Sequence, residues 1–179
     1  MRYLALIRGV NLGKEKKVTM ADLRSVFEDC GLDDVVTHAN SGNVLFRTDR
    51  PVGPDLTADC EAAFAEAFGC RARVLILSGD ELREAVEAVP SWWAAPGDWR
   101  HDAVFVIPPA DATSLLAAIG DYDEGMEGVW HHENIIFWSV HTPGYGKSRF
   151  SRLSSLPAYQ DVTIRSSTTT LRLLDLLAG

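Results

Sequence analysis

The sequence is poor in cysteine, has no long apolar run, and lacks the short motifs that mark a reaction. Its three cysteines, Cys30, Cys60 and Cys70, are an odd set at wide spacing. They supply neither a disulfide framework nor the paired pattern of a tetrahedral zinc site. No stretch approaches the ~18 consecutive apolar residues of a membrane helix. The opening Met1-Arg2-Tyr3-Leu4-Ala5-Leu6-Ile7-Arg8 has too short an apolar core, and no small-residue cleavage site, for a signal peptide. The expectation is a soluble protein of a reducing cytoplasm, with no membrane partner, whose Cys30 and Cys60 serve as small core hydrophobes.

Reaction motifs are equally scarce. Thr142-Pro143-Gly144-Tyr145-Gly146-Lys147-Ser148 resembles a Walker A loop, but His141 stands at the first glycine position. Ser41 has no G-x-S-x-G elbow around it. His131 and His132 are adjacent in a strand and point to opposite faces, with no third ligand, so no metal site is expected. No nucleophile–base pair is assigned, no cofactor is expected, and enzymatic activity stays open. Trp92, Trp93, Trp99, Trp130 and Trp138 could stack bases, yet the RNP-type run is missing and the linker tryptophans are expected to pack against the body.

What is present describes a globular chain of 179 residues, 46% hydrophobic and 23% charged, with a net charge of −8. That charge excludes an indiscriminate nucleic-acid coat. Its distribution is uneven. Residues 1–17 carry +4 and residues 141–172 carry +4, on a body that is strongly acidic elsewhere. Two basic segments brought together by folding would make a local anion site.

Apolar periodicity and turn signals give the element order. Tyr3–Val10 reads as a strand, and Thr19 caps a helix that stops at Gly31. Val35–His38 and Val44–Arg47 form a hairpin around Asn40-Ser41-Gly42-Asn43. Asp55–Phe68 is a helix and Ala72–Leu77 a strand. Ser78 and Glu81 open a connecting helix that Pro90 ends, and a tryptophan-rich linker follows. The order then repeats: strand Ala103–Ile107, helix Asp111–Ile119, hairpin Val129–His131 with Ile135–Val140, helix Ser148–Leu156, strand Val162–Arg165. A last helix places Leu171, Leu174 and Leu177 on one face. The expected fold is α+β, with two ferredoxin-like β-α-β-β-α-β modules in tandem, antiparallel sheets and helices on one face. Residues 1–78 form the first module, 79–101 the connecting helix and linker, and 102–179 the second module with the final helix.

In such a unit the first two strands run parallel, so the loop after strand one meets the hairpin between strands two and three. Arg8, Asn11 and Lys17 then stand beside Ser41 and Asn43, ahead of the helix beginning near Thr19. Guanidinium, amide, hydroxyl and ammonium donors beside glycines suit a phosphate, a carboxylate or a nucleic-acid backbone. Lys147 and Arg165 are the corresponding candidates in the second module.

The same residues carry a family resemblance. Arg2–Gly13, Lys17-Val18-Thr19-Met20-Ala21-Asp22-Leu23-Arg24 and Ser41-Gly42-Asn43-Val44-Leu45-Phe46 resemble the Y-x-A-L-x-R-G-I/V-N-x-G, K-[VI]-x-M-x-x-L and S-G-N-V-x-F segments of the bacterial family called domain of unknown function 1697. Gly144-Tyr145-Gly146-Lys147-Ser148 is similar to its later G-Y-G-[RK]-S segment. Near the end, Ser166, Ser167 and Thr168 replace the family's usual Asn, Trp and Asn, while Arg165 and Thr169 remain. The resemblance implies an α+β fold and no activity, because the family is uncharacterised. The expected function is a binding module for a nucleotide, nucleic acid or other anionic ligand. The alternatives are an enzyme acting on a phosphorylated small molecule at the same edge, or a partner-binding protein using the tryptophan linker.

Overall fold

The computed structural model describes residues 1–10 and 18–179. The protein is α+β, with two antiparallel four-stranded sheets and helices. The chain divides into two compact units, Met1–Leu82 with Leu173–Gly179, and Arg83–Arg172.

The first unit contains β1 (Arg2–Arg8), α1 (Met20–Asp29), β2 (Asp33–His38), β3 (Asn43–Arg47), α2 (Pro54–Phe68) and β4 (Arg73–Ser78), and α3 (Gly79–Ala88) begins in it. Its sheet order is β2-β3-β1-β4, and every pairing is antiparallel. Local chemistry explains the boundaries. The Thr19 hydroxyl accepts from Asp22 N at 3.0 Å and caps α1. Gly69, at φ +71°, ends α2 in the left-handed conformation that glycine adopts freely. Ser78 and Glu81 form a reciprocal capping box: Glu81 N donates to Ser78 Oγ (3.1 Å) and Ser78 N to Glu81 Oε2 (2.7 Å). Alternation in the strands sends Ala5, Ile7, Val44, Phe46 and Val74 to one face. There they meet Leu23, Val26 and Phe27 of α1 and Leu56, Cys60 and Phe64 of α2 in one core.

Cys60 is fully buried within this core, and Cys30 packs against it and is hydrogen-bonded to Cys60. Cys60 is buried, Cys30 half-buried and Cys70 exposed. Burial, reinforced by Cys30, pushes the Cys60 thiol from 9.0 up to about 12. A raised folded pKa on an acid gives stability that is complete below the unfolded value. It is lost as pH climbs from about 9 through about 12. Urea midpoints measured from about pH 8 to about pH 11 should therefore fall less steeply in Cys60→Ala than in the parent. Equal slopes would mean that the thiol is not held neutral by the fold.

The second unit holds β5 (Trp99–Val106), α4 (Ala112–Ile119), β6 (Glu127–His132), β7 (Ile135–His141), α5 (Arg149–Arg152) and β8 (Val162–Ser166), and α6 (Ser167–Ala178) begins in it. Its sheet order is β6-β7-β5-β8, again all antiparallel, so the element pattern repeats. Asp111 caps α4 by accepting from Ser114 N at 2.8 Å, and these bonds hold its carboxyl below the usual value.

Three segments differ from the periodicity. β5 starts at Trp99, four residues before the apolar run, because Arg100, His101 and Asp102 find polar partners. Arg100 Nε donates to Asp102 Oδ2 at 2.5 Å, and Arg100 lies 5.2 Å from the Tyr145 ring centre. The expected helix 148–156 is α-helical only over Arg149–Arg152 and continues as short 3-10 turns. Serine hydroxyls there bond the backbone, Ser151 Oγ to Ser148 O and Ser155 Oγ to Arg152 O, and Pro157 follows. On α6 the buried residues are Thr170, Leu173 and Leu177, while Leu171 is exposed. Thr170 can join the stripe because its hydroxyl donates to Ser166 O at 2.9 Å. The far end of α6 groups with the first unit, where Arg2 Nη1 donates to Leu176 O at 2.8 Å.

Candidate functional site

In the first sheet β1 and β2 run in the same direction with β3 between them, so the end of β1 lies against the β2–β3 turn. Ile7 N donates to Gly42 O at 2.8 Å. Gly42 has φ +72°, and a Cβ there would fall 2.9 Å from Val10 Cγ2 and 3.0 Å from Ile7 O. Only glycine lets the turn close this tightly on β1. Asn43 is fully buried, its Nδ2 donating to His38 O at 2.9 Å and to Ser41 Oγ at 3.0 Å. Its amide therefore builds the turn. Asn11 and Lys17, expected beside this turn, lie outside the described residues.

Arg8 leads to a different neighbourhood. It lines an open cleft of about 730 Å³ with Arg71, Arg73, Glu61 and a row of small residues on α2. Arg8 and Arg73 are register partners at the adjoining ends of β1 and β4. Ala58, Ala62 and Ala65 recur at helical spacing, so this side of α2 is shallow where the opposite side buries Leu56, Cys60 and Phe64. Glu61 Oε1 accepts from Val74 N at 2.8 Å, which ties the cleft's acidic group to the backbone of β4. Three arginines thus line one concave surface of ligand size. Of the expected residues, Arg8 alone among those described lines it. Arg71, just before β4, and Arg73, its first residue, were not among the expected residues. Without the position of α2, nothing joined them to Arg8.

In the second unit Lys147 is exposed at the end of a 3-10 turn, Thr142–Lys147, not in a strand-to-helix phosphate loop. Ser148 caps α5, accepting from Ser151 N at 3.1 Å while its hydroxyl donates to Tyr145 O at 2.6 Å. Arg165 is buried in β8, and its Nη1 donates to Thr163 Oγ1 and Ile164 O, each at 2.8 Å. Burial pushes its guanidinium down to about 10, so it remains charged at neutral pH. The residue that sequence reasoning passed over is Glu127, 3% exposed at the start of β6. Its Oε1 accepts from Trp138 Nε1 and Phe150 N, both at 3.0 Å, and its Oε2 from Arg149 N at 2.8 Å. As the last of the acidic residues that begin at Asp121, it carried no signal of that role.

The linker tryptophans divide. Trp93 is buried edge-on to Phe137, with ring centres 4.8 Å apart, and its Nε1 donates to Asp102 O. Trp92 is half-buried and Trp99 exposed. Among the described residues no group of three or more His, Cys, Asp or Glu could hold a metal ion, and no helix is long and apolar enough to cross a membrane.

With the repeated sheets and the β1–turn contact established, comparison with known proteins is decisive for the family. The model for "Protein of unknown function (DUF1697)" matches residues 1–137. The chain belongs to this family. The match covers the β1 and β2–β3 segments that close on each other at Gly42, and ends before the Ser166-Ser167-Thr168 replacement. This DUF1697 chain is also similar to the solved structure of conserved bacterial protein SP0830 from Streptococcus pneumoniae, at 28% identity and a TM-score of 0.88, over 98% of each chain. No curated protein matches it.

Proposed function

We propose that the first unit binds an anionic, phosphate-bearing ligand, a nucleotide or a nucleic-acid backbone, in the cleft bordered by Arg8, Arg71 and Arg73. The observation that carries this reading is the convergence of three arginines, from the end of β1 and the approach to β4, on one cleft of about 730 Å³. Guanidinium groups match phosphate oxygens in bidentate geometry and stay charged at all working pH values. The alanine face of α2 leaves room beside them, and the acidic lining residue already accepts a backbone hydrogen bond. The sheet order β2-β3-β1-β4, repeated as β6-β7-β5-β8, supports reading both units as ferredoxin-like modules. The likeness to a pneumococcal protein supports a bacterial origin, and three free thiols support a cytoplasmic setting.

Titration with ATP and with a fluorescent oligothymidylate tests the reading. Saturable binding should weaken roughly tenfold in Arg71→Ala and in Arg73→Ala, with circular dichroism unchanged. If the ligand is a single strand, log affinity should fall with log salt at roughly −0.7 per neutralised phosphate. Absence of saturable binding to both probes, or equal affinity in parent and arginine variants, overturns the proposal.

A further inference from the structure

The second unit carries a cavity of a different character. It encloses about 510 Å³, with Trp92, Trp99 and Tyr122 as aromatic walls, Glu124 beside them, and His101 with Ser139 forming a polar floor. Neither lysine nor arginine is among its described lining residues. The Trp92 ring rests on the strand: a Cβ on Gly128 would fall 3.2 Å from Cε3 and 3.3 Å from Cζ3, so the glycine lets the indole lie flat against β6. The wall is set in place by the fold.

The floor's hydrogen bonds decide which charge the cavity favours. His101 Nε2 lies 2.9 Å from Ala95 O, and a carbonyl can only accept, so Nε2 bears the hydrogen. In the neutral ring Nδ1 is then an acceptor, and the Ser139 hydroxyl 2.6 Å away donates to it. In that tautomer both hydrogens of the His101–Ser139 pair are used inside the protein. Beside the aromatic faces, with their negative quadrupole, the carboxylate residues Glu124 and Glu127 line the cavity. The wall containing Tyr122 and Glu124 belongs to Asp121-Tyr122-Asp123-Glu124-Gly125-Met126-Glu127, four acidic residues in seven with no basic one. An anion would meet neither lysine nor arginine among the described lining residues and would face two glutamates. A cation with apolar substituents would meet ring faces and negative charge together, the chemistry of aromatic cages.

We propose that this cavity is a binding site for a methylated ammonium group, separate from the arginine-bordered cleft of the first unit. Trp92, Trp99 and Tyr122 contact the methyl groups, and Glu124 supplies the counter-charge at the exposed side.

The test is calorimetric titration of the whole chain with choline, and with 3,3-dimethylbutan-1-ol, its neutral isostere. Choline should bind saturably, and the isostere at least roughly tenfold more weakly. Trp99→Ala should weaken choline roughly tenfold. Exposed Glu124→Gln, which keeps the fold whatever happens to Trp99→Ala, should weaken it several-fold. A trimethyl-lysine peptide titrated alongside identifies the source of the group, since tighter binding than choline points to a peptide and weaker binding to a free metabolite. Equal affinity for choline and its isostere, no saturable choline binding at millimolar concentration, or an unchanged affinity in Glu124→Gln overturns the assignment.

Discussion

Glu127→Ala should lower stability by about 3–5 kcal/mol and the melting temperature by roughly 10 °C or more. The carboxylate receives three hydrogen bonds, from Trp138 Nε1, Phe150 N and Arg149 N, while it and Trp138 are almost wholly buried. Removing it strands those donors away from water, each at a cost of about 1–3 kcal/mol. Water entering the space left by the side chain would offset part of the loss. Glu127→Gln separates volume from chemistry. One oxygen can still accept from Trp138 and Phe150, but the new amide hydrogens confront Arg149 N, so an intermediate loss is expected. Differential scanning calorimetry gives the melting shifts, and near-ultraviolet circular dichroism reports the Trp138 environment directly. A melting temperature within roughly 2 °C of the parent for Glu127→Ala would show that this carboxylate does not tie β6 to α5.

The second large effect is expected at Gly42, where Gly42→Ala should cost about 2–4 kcal/mol. Part is conformational, because a left-handed backbone disfavours any L side chain. The rest is steric, since the added methyl would press on Val10 Cγ2 and on the Ile7 carbonyl oxygen. Gly31 separates the two parts. It has φ +75°, but a Cβ there would meet nothing within 4 Å. Gly31→Ala should therefore cost only the conformational share, about 1–2 kcal/mol. Urea unfolding of the two variants side by side measures the difference. Equal losses would mean that the turn does not press on β1. Because Ile7 immediately precedes Arg8, Gly42→Ala should also weaken the anion binding proposed for the first unit.

Much of this architecture could be read from local chemistry. Thr19, Asp111 and the Ser78–Glu81 pair marked helix starts, and Gly69 marked a helix end, through interactions spanning four residues or fewer. The meeting of β1 with the β2–β3 turn followed from strand direction alone. Where the reading departed from the structure, the deciding contact was distant in sequence or polar in kind. Thr170 displaced Leu171 and Leu174 from the buried stripe of α6 because a hydroxyl bond to Ser166 made it fit for burial. Asn43 and Ser41 carried the composition of a ligand loop, yet the Asn43 amide is engaged by its own turn. The arginine cleft was only one-third visible: Arg8 was marked by its loop, whereas Arg71 and Arg73 needed the register of β4 against β1. Glu127 was invisible because its donors lie 11 to 23 residues away.

The hydrogen bond from Arg2 to the carbonyl of Leu176 spans 174 residues. The segment Leu173–Gly179 that completes the first unit emerges from the ribosome only after the entire second unit has been translated. The second unit has all its residues in one stretch and is free to fold as it appears, whereas the earlier-made unit must stay unfinished until the later one is complete. The order of synthesis and the order of completion are thus reversed. The contact is non-local in the extreme, and it can form only after the rest of the chain has been made.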